Sequence, residues 1–251
     1  MILLVEGLTD AAFFQELLHR VYLRDSTRLY SEQPGRRNMP TGVQGVTASG
    51  ADLTVEFRYF RRNGGESEGG IPQIHIAIKG LLDTNIHEFA VAQDIDHGSP
   101  DRIFGSIRDV VYTHLNITGT RQRSPDRQVA LDNGTITVIP MGLDSDSRLA
   151  GLGVVKHELE DYLIKLMLED GSLREQAPRL ESLLYEILQN IREHDGPFDS
   201  SKELFQLIKP IVQHGFSDVG VVQKLIREAN TDTLVSVLEP LLSDVKRVFG
   251  S

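Results

Sequence analysis

The chain opens with a continuous apolar run, Ile2 to Val5, closed by Glu6. An unbroken run of this length is what a strand covered on both faces requires. From Asp10 onward apolar residues fall at Ala11, Phe13, Phe14, Leu17, Leu18 and Val21, the spacing of a helical stripe. Strand, tight turn and helix are the opening of an α/β fold. Leu53–Phe60 and Gln73–Lys79 each alternate apolar and polar positions and predict two strands. Phe89 to Gln93 predicts a buried strand that runs directly into Asp94-Ile95-Asp96. Pro100 to His114 predicts a helix with Ile103, Phe104, Ile107, Val110 and Val111 on one side. Asn133-Gly134 is a hairpin turn signal, followed by a strand over Thr135–Ile139.

Residues 31 to 70 have a different texture and hold eight of the 22 glycines. Apart from 53–60, this stretch reads as mobile loop, and Arg121–Arg127 as a polar loop. After Gly153 the pattern becomes helical and stays so. Val155–Leu168 predicts a helix, and Leu180, Leu183, Leu184, Ile187, Leu188 and Ile191 form the stripe of another. Ser200 with Glu203 is a capping-box pair, Gly215 can end the helix that follows, and Ser217 and Thr231 are N-cap candidates for two more. Pro210 and Pro240 are expected to break or kink their helices. The expected layout is an α/β domain over 1–155, with a Gly-rich insertion around 31–70, and an α-helical region over 156–251.

Composition narrows the chemistry. Apolar residues make up 40% and charged residues 25% of 251 positions, which allows a core of ordinary size. No apolar run approaches the roughly 20 residues that span a bilayer. The N-terminus has no basic region or cleavage site of a secretory signal, so a cytoplasmic location is expected. Cysteine is absent, which removes disulfides and thiolate metal sites. The net charge of −10 weighs against non-specific wrapping of nucleic acid, although local patches decide actual contacts.

Four carboxylates stand at strand ends: Glu6 and Asp10 after the first strand, Asp94 and Asp96 after a later one. In an open parallel sheet, ligands bind outside the carboxyl ends of the strands. If the two strands are neighbours the four side chains converge. Crowded carboxylates repel and call for a cation, and hard oxygen donors favour Mg²⁺ or Mn²⁺. Each pair also has a plainer account. Asp10 suits a helix N-terminus, and acidic residues are common at strand-end turns.

Glu6-Gly7 after the apolar ILLV, and Asp94-Ile95-Asp96 after FAVA, resemble the signature of the Toprim family. That domain occurs in bacterial primases, type IA and type II topoisomerases and OLD-family nucleases. Asp10 stands where nuclease-type members carry a further acidic residue. The resemblance covers roughly residues 1 to 165. It implies a Rossmann-like core with a mainly parallel sheet between helices, followed here by the α-helical C-terminal region. It also implies an acidic motif after the last core strand, best matched by Glu160 in GVVKHELEDYL, with Glu158 and Asp161 close by. On a helix Glu158 and Asp161 would share a face and Glu160 would point elsewhere. The other account of this string is a solvated acidic helix start. Asp144 and Asp146 read as a polar loop.

The activity implied is Mg²⁺- or Mn²⁺-dependent phosphodiester chemistry on DNA or RNA, as a nuclease. Asp94, Asp96 and Glu160 would hold metal, and Glu6 and Asp10 would be the catalytic carboxylates. Arg58, Arg61 and Arg62 are the candidates for phosphate contact, with Arg36, Arg37, Arg121, Arg123 and Arg127 in further loops. His97 is either a turn residue or a phosphate contact. A topoisomerase would need a tyrosine-bearing partner domain, and a primase a cysteine-bearing zinc domain. With no ATPase motif in the chain, an OLD-type ATPase would be a separate protein partner. Two rivals stand beside the nuclease. One is a catalytically silent module that binds nucleic acid or protein, for which Leu183, Leu184, Ile187 and Leu188 are either core or partner surface. The other is a small-molecule phosphatase using an aspartate of DIDHG, which leaves Glu6 and Asp10 unexplained.

Overall fold

The computed structural model describes residues 1–31, 39–59, 71–118, 126–171, 179–194, 200–212 and 217–249. The predicted Arg36, Arg37, Arg61, Arg62, Arg121 and Arg123 contacts and the Gly215 stop lie outside the described residues. By the density of internal contacts the chain divides into two units. Residues 1–93, 100–140 and 243–251 form the first, and residues 94–99 and 141–242 the second.

The first unit carries a seven-stranded sheet in the order β2-β3-β4-β1-β5-β7-β6. Its strands are β1 (Ile2–Leu4), β2 (Arg24–Ser31), β3 (Met39–Val46), β4 (Asp52–Arg58), β5 (Phe89–Asp94), β6 (Gln128–Leu131) and β7 (Gly134–Met141). The centre is parallel: β1 pairs with β4 on one side and with β5 on the other, Leu4 facing Arg58 and Val91. The pairs β2–β3, β3–β4 and β6–β7 are antiparallel, so the sheet is mixed rather than mainly parallel. Every residue of β5 is buried, as its unbroken apolar run requires.

Residues 73–79 are helical and not a strand. They lie in α2 (Ile71–Asp83). The alternation of QIHIAIK is real, but Ile76 on it is 59% exposed. Ile74, Ile78, Leu81 and Leu82 carry the burial at spacings of four, three and one, and these are helical. They join Leu4, Phe89 and Val91 of the sheet and Ile103, Phe104 and Ile107 of α3 (Pro100–His114) in one core cluster.

Part of the Gly-rich stretch is also ordered, because β3 occupies Met39–Val46. Its glycines serve close approach. A Cβ on Gly42 would stand 2.2 Å from the Val55 carbonyl oxygen, and one on Gly45 would stand 2.7 Å from the Ser26 Cβ. Helix α1 (Leu8–Leu17) packs on this strand and continues into a π-helical turn over Leu18–Tyr22. It is buried from Asp10 to its end, and the Gln15 amide donates to the carbonyls of Leu29 and Gly42. The same helix buries Glu16, whose carboxylate takes Arg28 of β2 at 2.7 Å. The hairpin β6–β7 forms one residue before its sequence signal. Asp132 and Asn133 make the turn, and Gly134 pairs with Leu131.

The second unit is helical: α4 (Ser147–Gly151), α5 (Glu160–Glu169), α6 (Leu180–His194), α7 (Ser201–Val212), α8 (Asp218–Glu228) and α9 (Thr231–Phe249). The last turns of α9, from Ser243, belong to the first unit. There Asp244 pairs with Arg127 and Arg247. Helix α5 packs against α7 and α8 with Tyr162, Leu163, Ile164, Leu166 and Met167 all buried. On α6, Leu184 and Leu188 are core while Leu183 is 37% exposed. The helix expected from Val155 starts only at Glu160. Residues 156 and 157 are extended and form isolated bridges instead.

Ser217 caps α8 as predicted, accepting the Gly220 N–H. The cap of α9 is Asn230 rather than Thr231: its side-chain oxygen accepts the N–H groups of Asp232 and Thr233. Asn230 in turn donates its own N–H to the buried Asp170. The oxygen of Ser200 accepts the Lys202 N–H at the start of α7, and its hydroxyl donates to Glu158. Pro210 and Pro240 lie inside α7 and α9, neither of which breaks there. No described helix is long and apolar enough to cross a membrane.

Two glycines separate close packing from mere chain freedom. Gly42→Ala must displace the Val55 carbonyl and is expected to cost about 2–4 kcal/mol in denaturant unfolding. Gly80→Ala, in α2 with no atom within 4 Å of the new methyl group, is expected to stabilise by about 0.5–1 kcal/mol in the same measurement.

Candidate functional site

The two groups of predicted carboxylates belong to different units and are taken in turn. In the first unit, β1 delivers the chain to Glu6, which is half-buried, and to Gly7, the N-cap of α1. Gly7 donates its N–H to Asp10 Oδ2 at 2.7 Å. Asp10 is only 8% exposed. It therefore does what the plainer account asked of it, turning a carboxylate onto the unsatisfied donors of a helix start. Arg58 ends β4 opposite Leu4, and its guanidinium pairs with Glu56 at 2.9 Å with both side chains exposed. Such surface pairs contribute little to stability and exchange readily. The first unit also has a cleft of about 360 Å³ beside His87, Tyr112, Leu131 and Asn133, lined by none of the candidate residues.

In the second unit, Asp94 and Asp96 are tied to residues 156–159 by hydrogen bonds and an ion pair, while Glu160 feels the charges of Lys202, Glu158 and Asp161. Asp94 Oδ1 accepts the Leu159 N–H at 2.9 Å, the residue before α5 begins. Ile95 donates to the Met141 carbonyl, so pairing continues past the end of β5. Asp96 and His157 exchange both backbone hydrogen bonds, at 2.8 and 2.9 Å. Asp96 has φ +55°, a left-handed conformation that aspartate tolerates better than most residues. The adjacent His97 is exposed in the turn, as its turn reading expects.

Lys156 spans two carboxylates, 3.1 Å from Asp96 Oδ1 and 2.9 Å from Glu158 Oε1. Glu158 is buried, outside any helix, and its second oxygen accepts the Ser200 hydroxyl at 2.6 Å and the Lys202 N–H at 3.2 Å. Burial alone would raise the Glu158 pKa. Ser200 and Lys156 outweigh it and hold the carboxyl below its ordinary value. Asp161 is fully buried and its Oδ2 accepts both the Leu143 N–H and His157 Nδ1, each at 2.8 Å. Its Oδ1 has no hydrogen-bond partner among the described residues. The bond to Asp161 raises the His157 pKa. Gly142, at φ +131°, leaves space for the His157 backbone and Cβ, because a Cβ there would stand 2.9 Å from the His157 Cβ. Asp146 is the N-cap of α4 and pairs with Lys165 at 2.8 Å, so the polar-loop reading of that residue holds.

Glu160 behaves differently. It is 6% exposed, and burial pushes its carboxyl up to about 7. Lys202 opposes that rise, while Glu158 and Asp161 add to it. A carboxyl that titrates near neutrality can carry a proton in acid–base chemistry, or be the ligand that an arriving cation deprotonates. Among the described residues no three aspartate, glutamate or histidine side chains are gathered as a ready cation cage. The donors present still suit a hard divalent cation by type. In the second unit, burial raises the Glu160 carboxyl, and Asp161 Oδ1 has no hydrogen-bond partner among the described residues.

Lys156 and His157 are the members of this network that the sequence pattern concealed. KHELED reads as the first turn of a helix. The contrary signal was Gly153 followed by Val154-Val155, since a glycine and two β-branched residues favour an extended approach. Comparison of the chain with family models, with curated proteins and with solved structures gives no match.

The Glu160 shift has a sign that can be measured. A carboxyl whose folded pKa lies above its unfolded value holds more protons in the native state. Stability therefore falls as pH rises between about 4.5 and 7. Glu160→Gln removes this slope. In chelator, the variant is expected to match the wild type near pH 4.5 and exceed its stability by ~1–3 kcal/mol at pH 8, in denaturant titrations at both pH values.

Proposed function

We propose that this chain is a metal-dependent phosphodiester hydrolase of the Toprim type, acting on DNA or RNA. The observation that carries the reading is the parallel centre of the sheet. β1 and β5 are hydrogen-bonded neighbours. The chain leaves one of them at Glu6 and the other at Asp94-Ile95-Asp96. Acidic residues following two adjacent parallel strands are what this chemistry uses, because ligands gather at the carboxyl ends of such strands. No relative supports the assignment, so it rests on the motif resemblance and on this topology.

In this reading Asp94, Asp96 and Glu160 hold Mg²⁺ or Mn²⁺. When bound, the cation supplies charge neutralisation for phosphate and lowers the pKa of a coordinated water. Glu6 and Asp10 act as the catalytic carboxylates. Arg58, with Arg61 and Arg62, contacts the phosphate backbone, for which its exposed pair with Glu56 is a weak competitor. A separate ATPase subunit is a candidate protein partner.

A second reading is favoured by a specific observation. Asp10, Asp94, Asp96, Glu158 and Asp161 each already accept a proton donor from the protein. A catalytically silent Toprim-like module that binds nucleic acid or protein would keep those carboxylates for such structural duty. The small-molecule phosphatase gains nothing comparable.

The test is cleavage of single- and double-stranded DNA and RNA with Mg²⁺, Mn²⁺ or chelator. Wild-type protein is expected to cut at least one substrate only with metal. Asp94→Ala is expected to lower the rate at least ~10³-fold while the fold persists by circular dichroism. Metal-dependent cleavage that survives Asp94→Ala contradicts the assignment of the site. No cleavage of any substrate by the wild type favours the silent module.

A further inference from the structure

Lys156 pairs with two carboxylates at once, Asp96 and Glu158. Its ammonium lies between one anchored carboxylate and one movable one. Glu158 is the anchored partner, 4% exposed and fixed by Ser200 and the Lys202 N–H. Asp96 is the movable partner, with a side chain 34% exposed. The backbone on both sides is pinned. Asp96 is bonded twice to His157, the residue after Lys156, and the Lys156 carbonyl accepts the Ser201 N–H. The lysine side chain itself is 32% exposed and can swing.

We propose that Lys156 is a built-in counter-ion of Asp96, the second carboxylate of the Asp-x-Asp pair, which a divalent cation must displace from Asp96 in order to bind. This rests on the metal-binding reading given above. The ammonium satisfies Asp96 in the metal-free protein, so the second carboxylate of the pair does not repel its neighbours. A cation arriving at Asp94 and Asp96 competes with the lysine for the same oxygen. After displacement Lys156 stays held by Glu158, which needs no further change because Ser200 and Lys202 keep it in place. Metal affinity is then weaker than the carboxylates alone would give, and removing the lysine charge strengthens it. The opposite expectation, that a nearby lysine is simply structural, predicts no gain on its removal.

The experiment is Mn²⁺ binding by electron paramagnetic resonance, which counts free ion directly and does not depend on any enzymatic activity. Wild type, Lys156→Met, Lys156→Arg and Asp94→Asn/Asp96→Asn are titrated to millimolar Mn²⁺ at constant ionic strength. Thermal melts confirm that each is folded. Lys156→Met is expected to bind about tenfold more tightly than the wild type, and Lys156→Arg to bind as the wild type does. If Lys156→Met does not fold, Lys156→Gln replaces it, with the same expectation. Wild-type binding that is lost in Asp94→Asn/Asp96→Asn but unchanged or weakened in Lys156→Met overturns the displacement and leaves the metal reading standing. Absence of binding in both wild type and Lys156→Met overturns the two together.

Discussion

Two backbone hydrogen bonds between Asp96 and His157 set the arrangement of charge in the second unit. They fix the turn after β5 against the extended segment 156–159, and from that pairing the rest follows. Lys156 is brought to Asp96 and Glu158. Leu159 presents its N–H to Asp94, and α5 begins at Glu160. His157 turns its ring to Asp161, which also takes the N–H of Leu143. Residues that a helix from Val155 would have spread around its circumference are instead strung along a bridge, each with a different partner.

Burying carboxylates costs free energy unless donors or cations offset it. Here Asp94, Glu158 and Asp161 are each compensated by a backbone N–H, a hydroxyl, an ammonium or an imidazole. Glu160 is not compensated to the same degree, which is why its carboxyl rises to about 7 while that of Glu158 falls. Two carboxyls two residues apart are thus shifted in opposite directions by their surroundings. Such imbalance is common at functional sites, and structural ion-pair networks produce it too.

The parts of this fold legible in the sequence were those where one physical signal dominated. β1, β5 and α3 are unbroken apolar runs or a clean helical stripe, and each formed as its pattern required. Where two periods competed, the wrong one was easy to take. QIHIAIK alternates over seven residues, but its burial follows the helical contacts of Ile74 and Ile78, and Ile76 is left exposed. β3 was hidden because Pro40, Gly42 and Gly45 interrupt the strand formers Thr41, Val43 and Val46 of MPTGVQGV. Its glycines are there to let Val55 and Ser26 approach, a tertiary requirement with no local sign. At the candidate site the strand-end positions of Glu6, Asp94 and Asp96 could be read from the chain. The partners of Asp96 could not, because His157 and Lys156 reach it, and Ser200 reaches Lys156, only across bridges between distant segments.

The function proposed above requires Asp94 and Asp96 to bind a divalent cation. Calorimetric titration of Mg²⁺ into the wild-type protein and into Asp94→Asn/Asp96→Asn tests it most directly. The account predicts a saturable heat in the wild type that disappears in the double variant while its melting behaviour is retained. A wild-type protein that takes up no Mg²⁺, or a double variant that binds it equally well, would contradict the account.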